Sequence, residues 1–182
     1  GFCLEQPIGH VVRELGSFSV DGLADVEDVL SVMDFGDGPI FESTGMLVQL
    51  ADLYPEKLLA PAPATHERAL FYQWLFYAMT EVEVPLIEVF IQKSFRDSPD
   101  EAIIEAASER FEKAVSVVER ELGSRDYVLE SGFSIADVVV GEMLNFAANV
   151  ELGGGFPNAL SYVERLKARP AYQRASAVEA AA

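Results

Sequence analysis

One cysteine, Cys3, in 182 residues leaves no internal disulfide to form, and a reducing compartment is the simpler setting. Basic residues are scarce as well: 13 Lys and Arg stand against 30 Asp and Glu, for a net charge of −17. That balance argues against a phosphate-backbone partner, because nucleic-acid binding needs a basic stripe and none is visible. The two histidines, His10 and His66, are far apart and have no Cys or acid pair at metal spacing. No Ser-His-Asp set, phosphate loop, transmembrane run, leader segment or lipidation signal is found, so the expectation is a soluble cytoplasmic protein with no membrane partner.

Apolar residues make up 50% of the chain, enough for a real core in one large domain or two small ones. The core is predicted to form around the stretch from Phe133 to Ala147. Ser134 and Asp137 are spaced as a short capping box, and Phe133 and Val138 as a hydrophobic staple. Ile135, Ala136, Val138, Val139, Val140, Met143, Leu144, Phe146 and Ala147 make the helix apolar nearly all round, hence buried on every side. It is too short to span a membrane.

Earlier in the chain, Ile8 to Leu15 reads as a short helix, and Ser17–Val20 and Val29–Phe35 as strands. Gly36-Asp37-Gly38 is a hairpin turn and Pro39-Ile40-Phe41 the returning strand. Glu42 to Leu53 has helical spacing, ended by Tyr54-Pro55. Pro61-Ala62-Pro63-Ala64 is the linker, dividing a mixed α/β part (residues 1–60) from a helical part (64–182). Thr65 caps a long helix that Pro85 should kink or end. Ser98-Pro99-Asp100-Glu101 reads as cap, first turn and capping acid of the next helix, with Ile103, Ala107, Phe111, Ala114, Val118 and Leu122 on one face and Gly123 as its stop. Beyond Gly153-Gly154-Gly155, Phe156-Pro157 opens a helix with Leu160, Val163 and Leu166 facing in, and Pro170 opens the last one.

This order resembles the cytosolic glutathione transferase family, in its bacterial form. The stretches that carry the resemblance are Gly38 to Thr44, Tyr54-Pro55 with Leu58, Leu59 and Pro61, Glu67 to Leu75, Phe133 to Val140, and Tyr162 through Arg169-Pro170-Ala171-Tyr172. The implied fold is α/β plus all-α: a reduced thioredoxin-like N-terminal domain followed by a transferase-type helical bundle. The segment between Phe18 and Val29 is shorter than the family's and very acidic, and no first strand fits before Pro7.

The resemblance implies glutathione as ligand or co-substrate, with Glu42 and Ser43 as the pair that receives its γ-glutamyl end. A helix start suits a carboxylate and a nearby Glu suits an ammonium; the plainer alternative is that the two residues only cap the helix. Val29 falls where the family's backbone bonds the glutathione cysteine. Leu30 replaces the family's cis-proline there, and a non-proline cis bond costs about 2.5–4 kcal/mol, so a trans bond is expected. Cys3 stands near the place of the sulfur-activating residue. With Glu5 as its nearest charge it reads first as a lone thiol and second as a catalytic candidate. Tyr72, Phe76 and Tyr77, with Met79, are the candidates for an electrophile pocket, against a reading in which each is core. The function so implied is conjugation or isomerisation of a small apolar electrophile by a homodimer. The alternative is a binding or assembly protein of the same fold without turnover.

Overall fold

The computed structural model describes residues 42–179, all helix, turn and loop. The strands and hairpin expected before Glu42, and with them Cys3 and Val29, lie outside the described residues. Seven α-helices follow in order: α1 Ser43–Leu53, α2 His66–Tyr77, α3 Glu83–Phe95, α4 Glu101–Leu122, α5 Ile135–Ala147, α6 Pro157–Lys167 and α7 Pro170–Glu179.

Helix α5 is the centre. Its N-cap is built as the sequence implies: Ser134 Oγ accepts from the Ala136 N–H at 3.2 Å, and the Asp137 carboxylate accepts from the Ser134 N–H at 2.8 Å. Every residue from Ile135 to Met143 is buried. Helices α1, α2, α3 and α6 all pack against it. Two apolar clusters result. One gathers Phe71, Trp74, Val118, Ile135, Val139 and Tyr162; the other gathers Val82, Leu86, Val89, Phe111, Val115 and Met143. Each fully buried Phe or Leu contributes about 1.5–3 kcal/mol, so α5, which feeds both clusters, holds the bundle together.

The loops are tied to the same helix. The carbonyl of buried Leu59 accepts from the Ile135 N–H at 2.8 Å, which satisfies a first-turn donor of α5 with backbone from the segment before the linker. Thr65 caps α2 as expected, its Oγ1 accepting from the Arg68 N–H at 3.1 Å.

Pro85 neither ends its helix nor simply bends it. The turn before it, Ala78–Val82, widens into a π-turn in which the Glu83 N–H bonds back to the Ala78 carbonyl, and α3 continues with Pro85 buried inside its first turn. A proline lacks the N–H that would bond four residues back, and its ring crowds that carbonyl. Widening the preceding turn accommodates both, and α2 and α3 become one re-phased rod.

Three local expectations are corrected. The cap of α4 is Asp100, not Ser98: its carboxylate accepts from Ala102 and Ile103 N–H at 3.0 and 3.4 Å, and its own N–H is held by Gln92 Oε1 at 3.0 Å. Ile103 is exposed, and Ile104 turns inward instead. On α6, Leu160 faces solvent while Ala159 and Tyr162 fill the core beside Val163 and Leu166.

Candidate functional site

The start of α1 is where the sequence places its ligand pair. Glu42, the N-cap residue, has φ 75° and ψ 100°, a left-handed backbone that costs a non-glycine residue about 1–3 kcal/mol. Its side chain makes no capping hydrogen bond to the helix. The plain capping role is therefore not what Glu42 does here, although its carbonyl accepts from the Met46 N–H at 3.0 Å and so starts the helix. Ser43 and Thr44 are half-buried in the first turn. The amides of such a turn have no acceptor within the helix and carry the positive end of its dipole.

Ser43 opens into a small cleft of about 20 Å³, room for one water molecule. Three elements line it. From α1 come Ser43, Thr44 and Leu47; from the π-turn and the start of α3 come Met79 and Glu83; from α5 come Val138, Val139, Glu142 and Met143. The Thr44 hydroxyl donates to Met79 Sδ at 3.3 Å, closing one side. The π-turn brings Met79 and Glu83 to α1 together, because it re-phases the rod between them.

The cleft is acidic. Burial pushes the Glu83 carboxyl above its usual range, and the charge of Glu42 adds to that shift. Glu142 is buried among the apolar residues of α5. Two carboxyl groups, of Glu83 and Glu142, and two hydroxyls, of Ser43 and Thr44, thus stand around an otherwise apolar cleft. Among the described residues no group of three His, Cys, Asp or Glu side chains could hold a metal ion.

Neither Glu83 nor Glu142 was among the residues singled out from sequence. Glu142 left a signal, an acid inside a helix apolar nearly all round. Glu83 left none, since its approach to Glu42 depends on the π-turn.

The three aromatic candidates on α2 lie apart from this cleft. Tyr77 is partly buried, its hydroxyl donating to the Ala114 carbonyl at 3.1 Å, and burial, then the Glu81 charge, raises its pKa. Tyr72 is 39% exposed beside the Arg68 guanidinium, and Phe76 is 68% exposed. Tyr72 and Phe76 share one face of α2, and Met79 follows three residues on, so an apolar strip runs from the helix surface toward the cleft. His66 begins α2 and is exposed. No described helix is long and apolar enough to cross a membrane.

Comparison with known proteins gives one family. The C-terminal domain family of glutathione S-transferases matches residues 101–165. Glutathione S-transferase F14 of Arabidopsis thaliana is 24% identical over 154 residues, 78% of this chain and 60% of its own length. The chain thus spans about 60% of the length of that relative. A solved glutathione transferase from Methylococcus capsulatus is 26% identical with a TM-score of 0.71, covering 94% of this chain and 92% of that one. A sphingomonad glutathione S-transferase, solved in complex with glutathione, is 25% identical with a TM-score of 0.69, over 85% of this chain and 80% of that one.

Proposed function

We propose that this chain, which is similar to glutathione S-transferases, receives the γ-glutamyl end of glutathione at the turn of Glu42 and Ser43. The observation that carries the reading is the state of that turn: a strained Glu42 whose side chain caps nothing, beside a half-buried Ser43 that opens into a cleft. The carboxylate of the ligand meets the Ser43 hydroxyl and the first-turn amides of α1. Its ammonium meets the acidic side, where the charge of Glu42 adds to the upward shift that burial gives Glu83. Relatives of this fold solved with glutathione support the choice of ligand.

The reaction proposed is addition of the glutathione thiolate to a small apolar electrophile. The strip of Tyr72, Phe76 and Met79 is the surface offered to that electrophile, since it leads from solvent to the cleft. The working unit is proposed to be a homodimer, which sedimentation velocity would test. A second reading, glutathione binding without turnover, rests on the same turn and differs only in chemistry.

Calorimetric titration of glutathione into wild type and Ser43→Ala tests the site. The expected result is wild-type binding that weakens about tenfold in the variant, the factor equivalent to roughly 1.4 kcal/mol. No heat and no thermal shift at millimolar glutathione would overturn the reading. Binding without turnover of any member of a panel of apolar electrophiles would select the second reading.

A further inference from the structure

We propose that Arg68 is a positioning residue for the Glu42–Ser43 turn, acting through Asp52 from the opposite end of α1. Arg68, at the start of α2, is 4% exposed. Its Nη2 donates to the Asp52 carboxylate at 2.8 Å and its Nη1 to the Pro61 carbonyl at 3.0 Å. The guanidinium sits 4.8 Å from the centre of the Tyr72 ring and 5.1 Å from that of Phe71. One planar cation therefore joins three pieces of chain: the last turn of α1, the linker and the first turns of α2.

Asp52 lies nine residues beyond Ser43, roughly 13 Å along the helix at 1.5 Å per residue. Arg68 lines no part of the cleft, so it cannot act on a ligand by contact. It acts by holding a lever. The near end of α1 rests on the same α2–α3 rod through the Thr44–Met79 contact, and the far end is pinned by Arg68. A rigid helix fixed at two points on one rod has its tilt fixed, and with it the approach of Ser43 to Glu83. Among the described residues, release of the far end leaves the near end to the Thr44–Met79 contact and the apolar packing of Leu47, Leu50 and Ala51. The inference rests on the glutathione reading for its ligand, but not for the lever itself.

The test uses Asp52, whose side chain is 44% exposed, so that its truncation leaves the core intact. Asp52→Ala removes the pin; Asp52→Asn keeps an acceptor oxygen and is the conservative rescue. Amide hydrogen exchange without ligand reads the lever directly. In Asp52→Ala the α1 amides are expected to exchange about tenfold faster while those of α5 keep their wild-type rates, with recovery in Asp52→Asn. Unchanged α1 exchange, or equal acceleration in α1 and α5, would overturn the proposal, the latter because a merely stabilising pair loosens everything. Glutathione titration, run well below the thermal midpoint of each variant, is the second arm: Asp52→Ala is expected to bind about three- to tenfold more weakly, and wild-type affinity in that variant would also overturn it. If wild type itself binds no glutathione, the ligand reading fails, and hydrogen exchange still decides whether Arg68 holds α1.

Discussion

The Tyr162 hydroxyl of α6 donates to the Asp137 carboxylate of α5 at 2.9 Å, in a site with no exposed surface on either residue. The same carboxylate accepts from the Val128 and Ser134 N–H groups at 2.9 and 2.8 Å and from the Ser134 hydroxyl at 3.1 Å. Burial nonetheless pushes its pKa up to about 6, against an ordinary 3.8. The Tyr162 hydroxyl is itself held well above its usual range, by burial first and then by Asp137. Removing the hydroxyl leaves the carboxylate one donor short. Tyr162→Phe is expected to cost about 1–2 kcal/mol in urea denaturation at pH 7.

A group whose folded pKa is raised contributes stability at low pH and loses it as pH climbs. Asp137 keeps its proton to about pH 6 when folded but releases it near 3.8 when unfolded. Its contribution is full below 3.8 and gone above 6, a change of roughly 3 kcal/mol. Asp137→Asn is expected to be less stable than wild type at pH 4, because its amide nitrogen must face hydrogen-bond donors on one side of the site or the other. The gap is expected to narrow as pH rises to 6.5, and a gap constant across that range would refute the assignment.

Glu83 obeys the same sign, its pKa raised by burial and then by Glu42. Glu83→Gln should therefore have a higher thermal midpoint than wild type at pH 7.5, with the advantage vanishing near pH 4. Glu42→Gln should recover part of the same gain, since it removes the neighbouring charge. Equal midpoints for wild type and both variants at pH 7.5 would rule out this coupling.

Helix α6 borrows its cap from another helix. Phe156 offers no side-chain acceptor, and the Glu119 carboxylate of α4 takes the Asn158 and Ala159 N–H groups at 3.1 and 2.9 Å. Glu119→Ala is expected to cost about 1–2 kcal/mol, as loss of an N-cap does, and Glu119→Gln about half of that. Chemical denaturation of the two variants checks the order.

Gly123 ends α4 at φ 48° and ψ −113°, and a Cβ there would stand 3.4 Å from the Arg120 carbonyl oxygen. Gly123→Ala is expected to lower stability by about 1–3 kcal/mol through backbone strain. An unchanged midpoint would show that the turn relaxes without cost.

Where a side chain within three or four residues decides the outcome, the sequence was readable. Thr65 and Ser134 cap their helices, Gly123 ends one, and Pro157 and Pro170 begin two others. Reading failed where a distant residue intervened. Gln92 holds the Asp100 N–H, and the α4 cap falls at Asp100 and not at Ser98. The candidate site follows the same division. Ser43 was legible as part of a local turn and does line the cleft, while Glu83 reaches it only through the π-turn that Pro85 imposes. A periodicity count at 3.6 residues per turn has no place for a five-residue turn.

The Leu59–Ile135 hydrogen bond also sets an order in time. Its two residues are separated by 76 positions, so the segment carrying Leu59 emerges first during synthesis and waits for its donor, roughly 4–15 s at 5–20 residues per second. Throughout that interval the apolar face of α1 and the buried side chain of Leu59 have no α5 to rest on. The segment from α1 to Leu59 is thus open to wrong association while the protein is being made, until the capped helix arrives.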